Sequence, residues 1–149
     1  MNIPIVWIDH HDVESSHYDH PSVHVFNPSK IGDKNNAPVT YWCYQLTQRA
    51  EDMWIAMMGC ISDHFLPPFA DSFKERYPEM WGNVRVPFDA YYNSEIGLLA
   101  RAISFGLKDS TSHVVYLQNF MVECSGPNSM KTELDSHSSF ARKYKEVIV

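Results

Sequence analysis

One stretch limits the architecture of this chain more than any other: EDMWIAMMGCIS, residues 51–62. Past its two opening acids it is apolar on nearly every side at helical spacing. A helix without a polar side cannot lie on a surface, so it has to be buried within the domain with other elements packed around it. At 149 residues the chain suits one domain built around one core, and 1–149 is expected to be that domain. An apolar fraction of 44% and an aromatic fraction of 13% supply the core and argue against disorder.

Residues 3–8, IPIVWI, are a short apolar run rich in β-branched side chains, which reads as a buried strand of a parallel sheet. Pro4 belongs near its start, where a missing N–H does least harm. SVHVFN, residues 22–27, reads as a second short strand, and NPSKIGDKNNAP as an irregular loop. From there the chain reads mainly helical. TYWCYQLTQRA follows the Ala37–Pro38 step, and the buried helix comes next. PPFADSFKERYP follows, with Pro67 and Pro68 in a first turn and Pro78 as a stop. Residues 82–92 read as irregular. Ser94 then N-caps a helix carrying Ile96, Leu99, Ile103 and Leu107. Thr111 or Ser112 starts another with Val114, Leu117 and Met121, ended by CSGPNS. A last helix carries Phe140, Tyr144 and Val147. The expected class is α/β, with short parallel strands followed by a mainly helical region. Two strands and about six helices are too little sheet for a complete α/β domain. Either another copy completes the sheet or the chain is part of something larger. An open apolar edge pairs, which predicts a homo-oligomer through the N-terminal strand or the helices beside it.

Charge narrows the partners. With 12 basic and 18 acidic residues the net charge is 12 − 18 = −6, which argues against binding nucleic acid by bulk electrostatics. A phosphate substrate handled through metal ions stays open, because cations would supply the positive charge. Three cysteines, Cys43, Cys60 and Cys124, are far apart and form no CxxC pair, as in a reduced intracellular protein. The N-terminal apolar run is too short for a signal peptide and lacks a basic flank, and no stretch reaches the length of a membrane span. A soluble, cytoplasmic protein is expected.

Directly behind IPIVWI stand Asp9, His10, His11 and Asp12, followed by His17, Asp19 and His20. In open α/β sheets the carboxyl end of a strand is where ligands bind. Neutral imidazole and carboxylate are good ligands for Mn²⁺, Zn²⁺ or similar ions. Adjacent residues leaving a strand point in different directions, so one histidine can ligate while the other faces a substrate. A neighbouring Asp can hold the ligating ring by its second nitrogen. An exposed polar loop accounts for the same letters. The second candidate is GCISDHFLP, residues 59–67. Gly59 allows close packing. Asp63 ends the wholly apolar helix, where a carboxylate needs partners: a metal ion is one, and capping the next helix at LPPF is the other role open to it.

Together VWIDHHD and, about fifty residues later, MMGCISDHFLP resemble the DHH superfamily of metal-dependent phosphoesterases. That superfamily includes RecJ-type single-strand exonucleases, oligoribonucleases, cyclic-dinucleotide phosphodiesterases and family II inorganic pyrophosphatases. GCISDHFLPPFADSFKERYPEM and YNSEIGLLARAISFGLK are most similar to DHH phosphoesterases of archaeal type. The resemblance runs from about Ile5 to about Lys145. It implies that His10 and Asp63 ligate one divalent ion, usually Mn²⁺. It also implies that His11 contacts the substrate phosphate or helps orient the attacking water, and that Asp9 acts behind the ligands. The chemistry it implies is two-metal hydrolysis of a phosphodiester or phosphoanhydride, with nucleotide or oligonucleotide substrates.

The departures are as informative. The family carries two Asp motifs before the DHH strand, yet only eight residues precede Asp9 here. The Gly-rich substrate-binding motif of the family's C-terminal domain is also missing, and CSGPNS is no substitute. The chain thus resembles the central segment of a DHH domain. Asp12, His17, Asp19, His20 and His24 are the local candidates to replace the lost ligands, though a solvated loop accounts for them too. Glu14 and His64 read as surface residues, and Tyr91, Tyr92 and Asn93 as a packing patch that could line a pocket. Three functions follow. One is a DHH-type phosphoesterase, with a partner chain as the source of the further carboxylates. The second is a non-catalytic relative that folds and oligomerises with at most one weak metal site. The third is a different metal hydrolase or metal-binding protein built on the His17, Asp19 and His20 region.

Overall fold

The computed structural model of the chain describes residues 3–12, 20–32 and 36–135. Glu14, His17 and Asp19, and the last expected helix with Phe140, Tyr144 and Val147, lie outside the described residues. The rest is mainly helical with one short two-stranded parallel sheet.

Strand β1 (Ile5–Ile8) pairs in parallel with β2 (Val23–Phe26), Ile5 opposite Val23 and Ile8 opposite Phe26. The Ile5 N–H donates to Ser22 O at 2.8 Å, and the Asp9 N–H donates to Phe26 O at 3.1 Å. The two strands therefore end level, so the residues that leave them emerge side by side. The expectation of a buried β1 is not met. Ile5, Val6 and Trp7 are 51%, 69% and 45% exposed among the described residues. Burying both faces of a parallel strand takes helices on each side, and the described helices pack chiefly on one another.

Beyond a short 3-10 turn at Pro28–Ile31 the chain runs through α1 (Val39–Thr47), α2 (Met53–Ser62), α3 (Ala70–Arg76) and α4 (Pro78–Trp81). Then come α5 (Pro87–Asn93), α6 (Glu95–Gly106), α7 (Thr111–Glu123) and α8 (Pro127–Asp135). The all-round apolar stretch does become the centre. Helix α2 buries Met53, Trp54, Ala56, Met57, Met58, Cys60 and Ile61 and packs on α1, α3, α5 and α6. Helix α6 is its main partner and also touches α4, α7 and α8. Ser94 caps α6 as its position suggested, its hydroxyl accepting the Gly97 N–H at 3.0 Å.

Prolines explain where the element boundaries depart from expectation. Pro67 and Pro68 sit in the turn before α3 rather than inside it. Pro78 ends α3 and also opens α4, because its missing N–H breaks one ladder and costs nothing at the first position of the next. Pro87 and Pro127 open α5 and α8 in the same way. Those two helices replace, respectively, a stretch read as irregular and one read as a terminator.

Candidate metal centre

Asp9, His10 and His11 leave β1 together, and one potential ligand atom from each lies within 4.8 Å of those of the other two. The Asp9 carboxylate is tied to His11: Oδ1 lies 2.7 Å from His11 Nδ1 and accepts the His11 N–H at 3.1 Å. Trp7 Nε1 donates to Oδ2 at 3.4 Å. The hydrogen bond from the His11 ring, with that from the His11 N–H behind it, pulls the Asp9 pKa down from 3.8 to about 2. Asp9 thus stays ionised and orients His11, not His10, the ring that the resemblance to the DHH superfamily would have ligate a metal. His10 stacks on His11 with ring centroids 4.2 Å apart. Its Nδ1 is buried and has no hydrogen-bond partner among the described residues. A buried ring nitrogen left without a partner costs free energy, and a ligand would remove that cost.

Asp63 reaches the same region by a different route. Helix α2 stops in a Schellman-type turn. The Phe65 N–H donates to Cys60 O at 2.9 Å and the His64 N–H to Ile61 O at 3.1 Å. His64 takes the left-handed position at φ 54°, where Gly is the usual occupant. This turn makes Asp63 the C-cap of α2 and leaves it out of α3, whose N-cap is Phe69. A carboxylate at a helix C-terminus faces the negative end of the helix dipole. Asp63 makes no ion pair with a described cationic side chain, so a bound cation would offset both charges.

His10 and Asp63 line one cavity of about 390 Å³. Thr40, Ser62 and Ser104 add hydroxyls, and Ile55, Met58, Ile103 and Met121 form apolar walls. Thr40 Oγ1 is buried, with the Cys60 thiol beside it as its neighbour. Thr40 sits against Gly59, where an added Cβ would run into its side chain, lying 2.7 Å from Thr40 Cβ. The close packing expected of Gly59 is therefore what forms this cavity wall. A cleft of about 400 Å³ beside α1 and α7 contains no histidine, and its one carboxylate, Asp52, is held by Arg49 at 3.3 Å. Of the two, the first cavity is the one that brings an imidazole and a carboxylate together.

The other candidates stay outside. The exposed Asp12, His20 and His24 do not join the Asp9–His10–His11 cluster, and His20 Nδ1 accepts the Ser22 N–H at 3.2 Å. His64 contacts the rings of Phe88 and Tyr91, while Arg101 lies 5.8 Å from the ring centres of both Tyr91 and Tyr92. That patch ties α5 to α6. Three contributors went unread in the sequence: Thr40, Asn27 and Ser29. Asn27 Nδ2 donates to His11 O at 2.8 Å. The available signal was an Asn directly before Pro-Ser, which is an N-cap pattern for the turn at Pro28–Ile31.

Among the described residues the one group whose possible ligand atoms lie close together is Asp9, His10 and His11; Asp63 shares the cavity with His10 but does not join that group. Asp63 is the one carboxylate among the described residues lining the cavity. No family model matches this sequence, and neither a curated protein nor a solved structure matches it.

Proposed function

We propose that the chain is a metal-dependent phosphoesterase of DHH type acting on phosphodiester or phosphoanhydride bonds of nucleotides or oligonucleotides. His10 and Asp63 hold Mn²⁺ or a similar ion. The observation that carries this reading is that His10 and Asp63, far apart in sequence, line one cavity, with His10 Nδ1 buried and unpartnered. When bound, the cation supplies a water of lowered pKa and positive charge against the charge developing at phosphorus. His11, held by Asp9 at 2.7 Å and exposed on its outer side, receives or orients the phosphate. The free thiols of Cys43, Cys60 and Cys124 fit a reducing cytoplasm, and no helix among the described residues is long and apolar enough to cross a membrane.

A second reading has its own observation. Two divalent ions close together repel, and several carboxylates are needed to offset that repulsion. A wall with one carboxylate supports one weakly held ion and an assembly role. In that role the exposed β1 residues Ile5, Val6 and Trp7 pair with a second copy or with a chain that supplies further carboxylates.

The test is Mn²⁺ stoichiometry measured together with hydrolysis of a generic phosphodiester, for wild type, His10→Ala and Asp63→Ala. Hydrolysis that depends on Mn²⁺ and is lost in both variants supports the enzyme. One ion without hydrolysis supports the second reading. No binding at millimolar Mn²⁺ sinks both metal readings.

A further inference from the structure

We propose that Asn27 is a positioning residue that sets the His10–His11 backbone at the metal centre, an inference that rests on the metal reading above. The β1–β2 ladder ends at the Asp9 N–H to Phe26 O bond. From there side chains of the following turn take over. Asn27 is 3% exposed and is one of two buried polar residues among those described. Its Oδ1 accepts the Ser29 N–H at 3.1 Å and the Ser29 hydroxyl at 2.6 Å. Both are donors, so they fix which end of the amide is oxygen, and the Nδ2 end must face His11 O, 2.8 Å away. The Ser29 hydroxyl has one proton. The 2.6 Å bond takes it, which leaves the 3.5 Å contact with His10 O weak. The strong side-chain link from the turn to the centre is therefore the hydrogen bond from the Asn27 amide to His11 O.

Only an amide does both jobs. It donates to His11 O while accepting from Ser29. Asp at this position keeps the acceptor and replaces the donor by a second oxygen aimed at a carbonyl. Pro28 is buried behind it and locks the first φ of the turn, so the backbone cannot swing to relieve the repulsion. Releasing His11 O lets the whole His10–His11 turn shift, because Asp9 Oδ1 grips His11 by both its ring and its N–H. The ring of His10, stacked on His11 at 4.2 Å, moves with it.

The experiment compares the full chain with Asn27→Asp, Ser29→Ala and Ser29→Thr. Mn²⁺ affinity is read from the free-ion paramagnetic resonance signal at a temperature where circular dichroism shows every protein fully folded. Groups that orient metal ligands typically alter affinity 10–100-fold, and a loss of that order is expected for Asn27→Asp. Ser29→Ala loses less and Ser29→Thr, which keeps the hydroxyl, stays near wild type. A global loss of stability does not move the affinity of a fully folded sample. Affinities within about two-fold of wild type for both Asn27→Asp and Ser29→Ala overturn the proposal; if Asn27→Asp does not fold, Ser29→Ala decides. The ¹⁵N shift of His11 Nδ1 in metal-free protein is the second readout. It moves in Asn27→Asp and not in Ser29→Thr if the amide positions the ring. Wild type that takes up no Mn²⁺ refutes the metal reading alone. The positioning claim then stands if that shift moves and falls if it does not.

Discussion

Replacing Gly97 by Ala tests the packing that holds the cavity wall in place. Gly97 lies in the first turn of α6, buried against the end of α5. A Cβ there would run into the carbonyl oxygens of Ala90 and Tyr91, and would lie 2.6 Å from the Tyr91 carbonyl carbon. These are backbone atoms, so no side-chain rotation relieves the clash; α5 has to move. Ala is the better helix former by about 1 kcal/mol, which works in favour of the variant. Against it stands overpacking, about 1–3 kcal/mol in well-packed interiors and occasionally more. Moving α5 also loosens the Ser94 cap, worth about 1 kcal/mol, and the bond from Arg101 Nη1 to Tyr91 O. The sum is a net loss of about 2–3 kcal/mol. For a chain of this size that is a fall in Tm of about 5–12 °C, read by circular dichroism or calorimetry. Urea unfolding should give the same loss from the shift in midpoint at constant m. A variant as stable as wild type or more stable would refute the reasoning, because the helix-propensity gain would then have met no steric opposition.

Other sites give independent checks. Ser94→Ala removes the hydroxyl that accepts from Gly97 and donates to Ala90, and should cost about 1–2 kcal/mol in chemical denaturation; a change under about 0.3 would refute the cap. His64→Gly should raise Tm slightly and His64→Val lower it, because the left-handed φ of 54° penalises a side chain by about 1 kcal/mol; the reverse order would show that its ring contacts dominate. Burial raises the Cys60 thiol from 9.0 to about 12, so in native protein a thiol reagent should modify exposed Cys43 and spare Cys60 until the chain unfolds. The same shift has a definite sign with pH. The unfolded thiol ionises above pH 9 and the folded one does not, so stability is full below pH 9 and falls by about 1.4 kcal/mol per unit between 9 and 12. Cys60→Ala should remove that part of the slope.

The helical part of the fold was legible because its signals are local. An all-round apolar stretch can only be a centre, and α2 is one; Ser94 could only cap, and it does. The two missed helices share one cause. Helices α5 and α8 are short and open on a proline, whose position at the first turn makes it a starter rather than a breaker. Burial of β1 failed for another reason. An apolar, β-branched run records what a strand needs, not what the chain supplies, and among the described residues the covering layer is absent.

At the candidate metal centre the sequence offered residues but not their orientation. His10 and Asp63 could be paired by motif order, and they do line one cavity. Which histidine Asp9 holds could not be read, because adjacent letters do not fix side-chain directions; the aspartate holds His11. That difference bears on function. A metal-bound ring is usually steadied by a carboxylate on its other nitrogen, which raises its basicity. Asp9 spends its charge on His11, and His10 Nδ1 has no partner. A cation held by His10 and Asp63 would therefore gain from one carboxylate directly and from none through the ring. If Asp9 turned to His10, affinity would rise and His11 would lose its anchor. His11→Asn separates the two states. If Asp9 is shared between the rings, removing the competing imidazole frees it to support His10, and Mn²⁺ binding should tighten about 3–10-fold. Weaker binding in His11→Asn would instead mean that the His11 ring is needed at the site, either by steadying the His10 ring stacked on it or by ligating the ion itself.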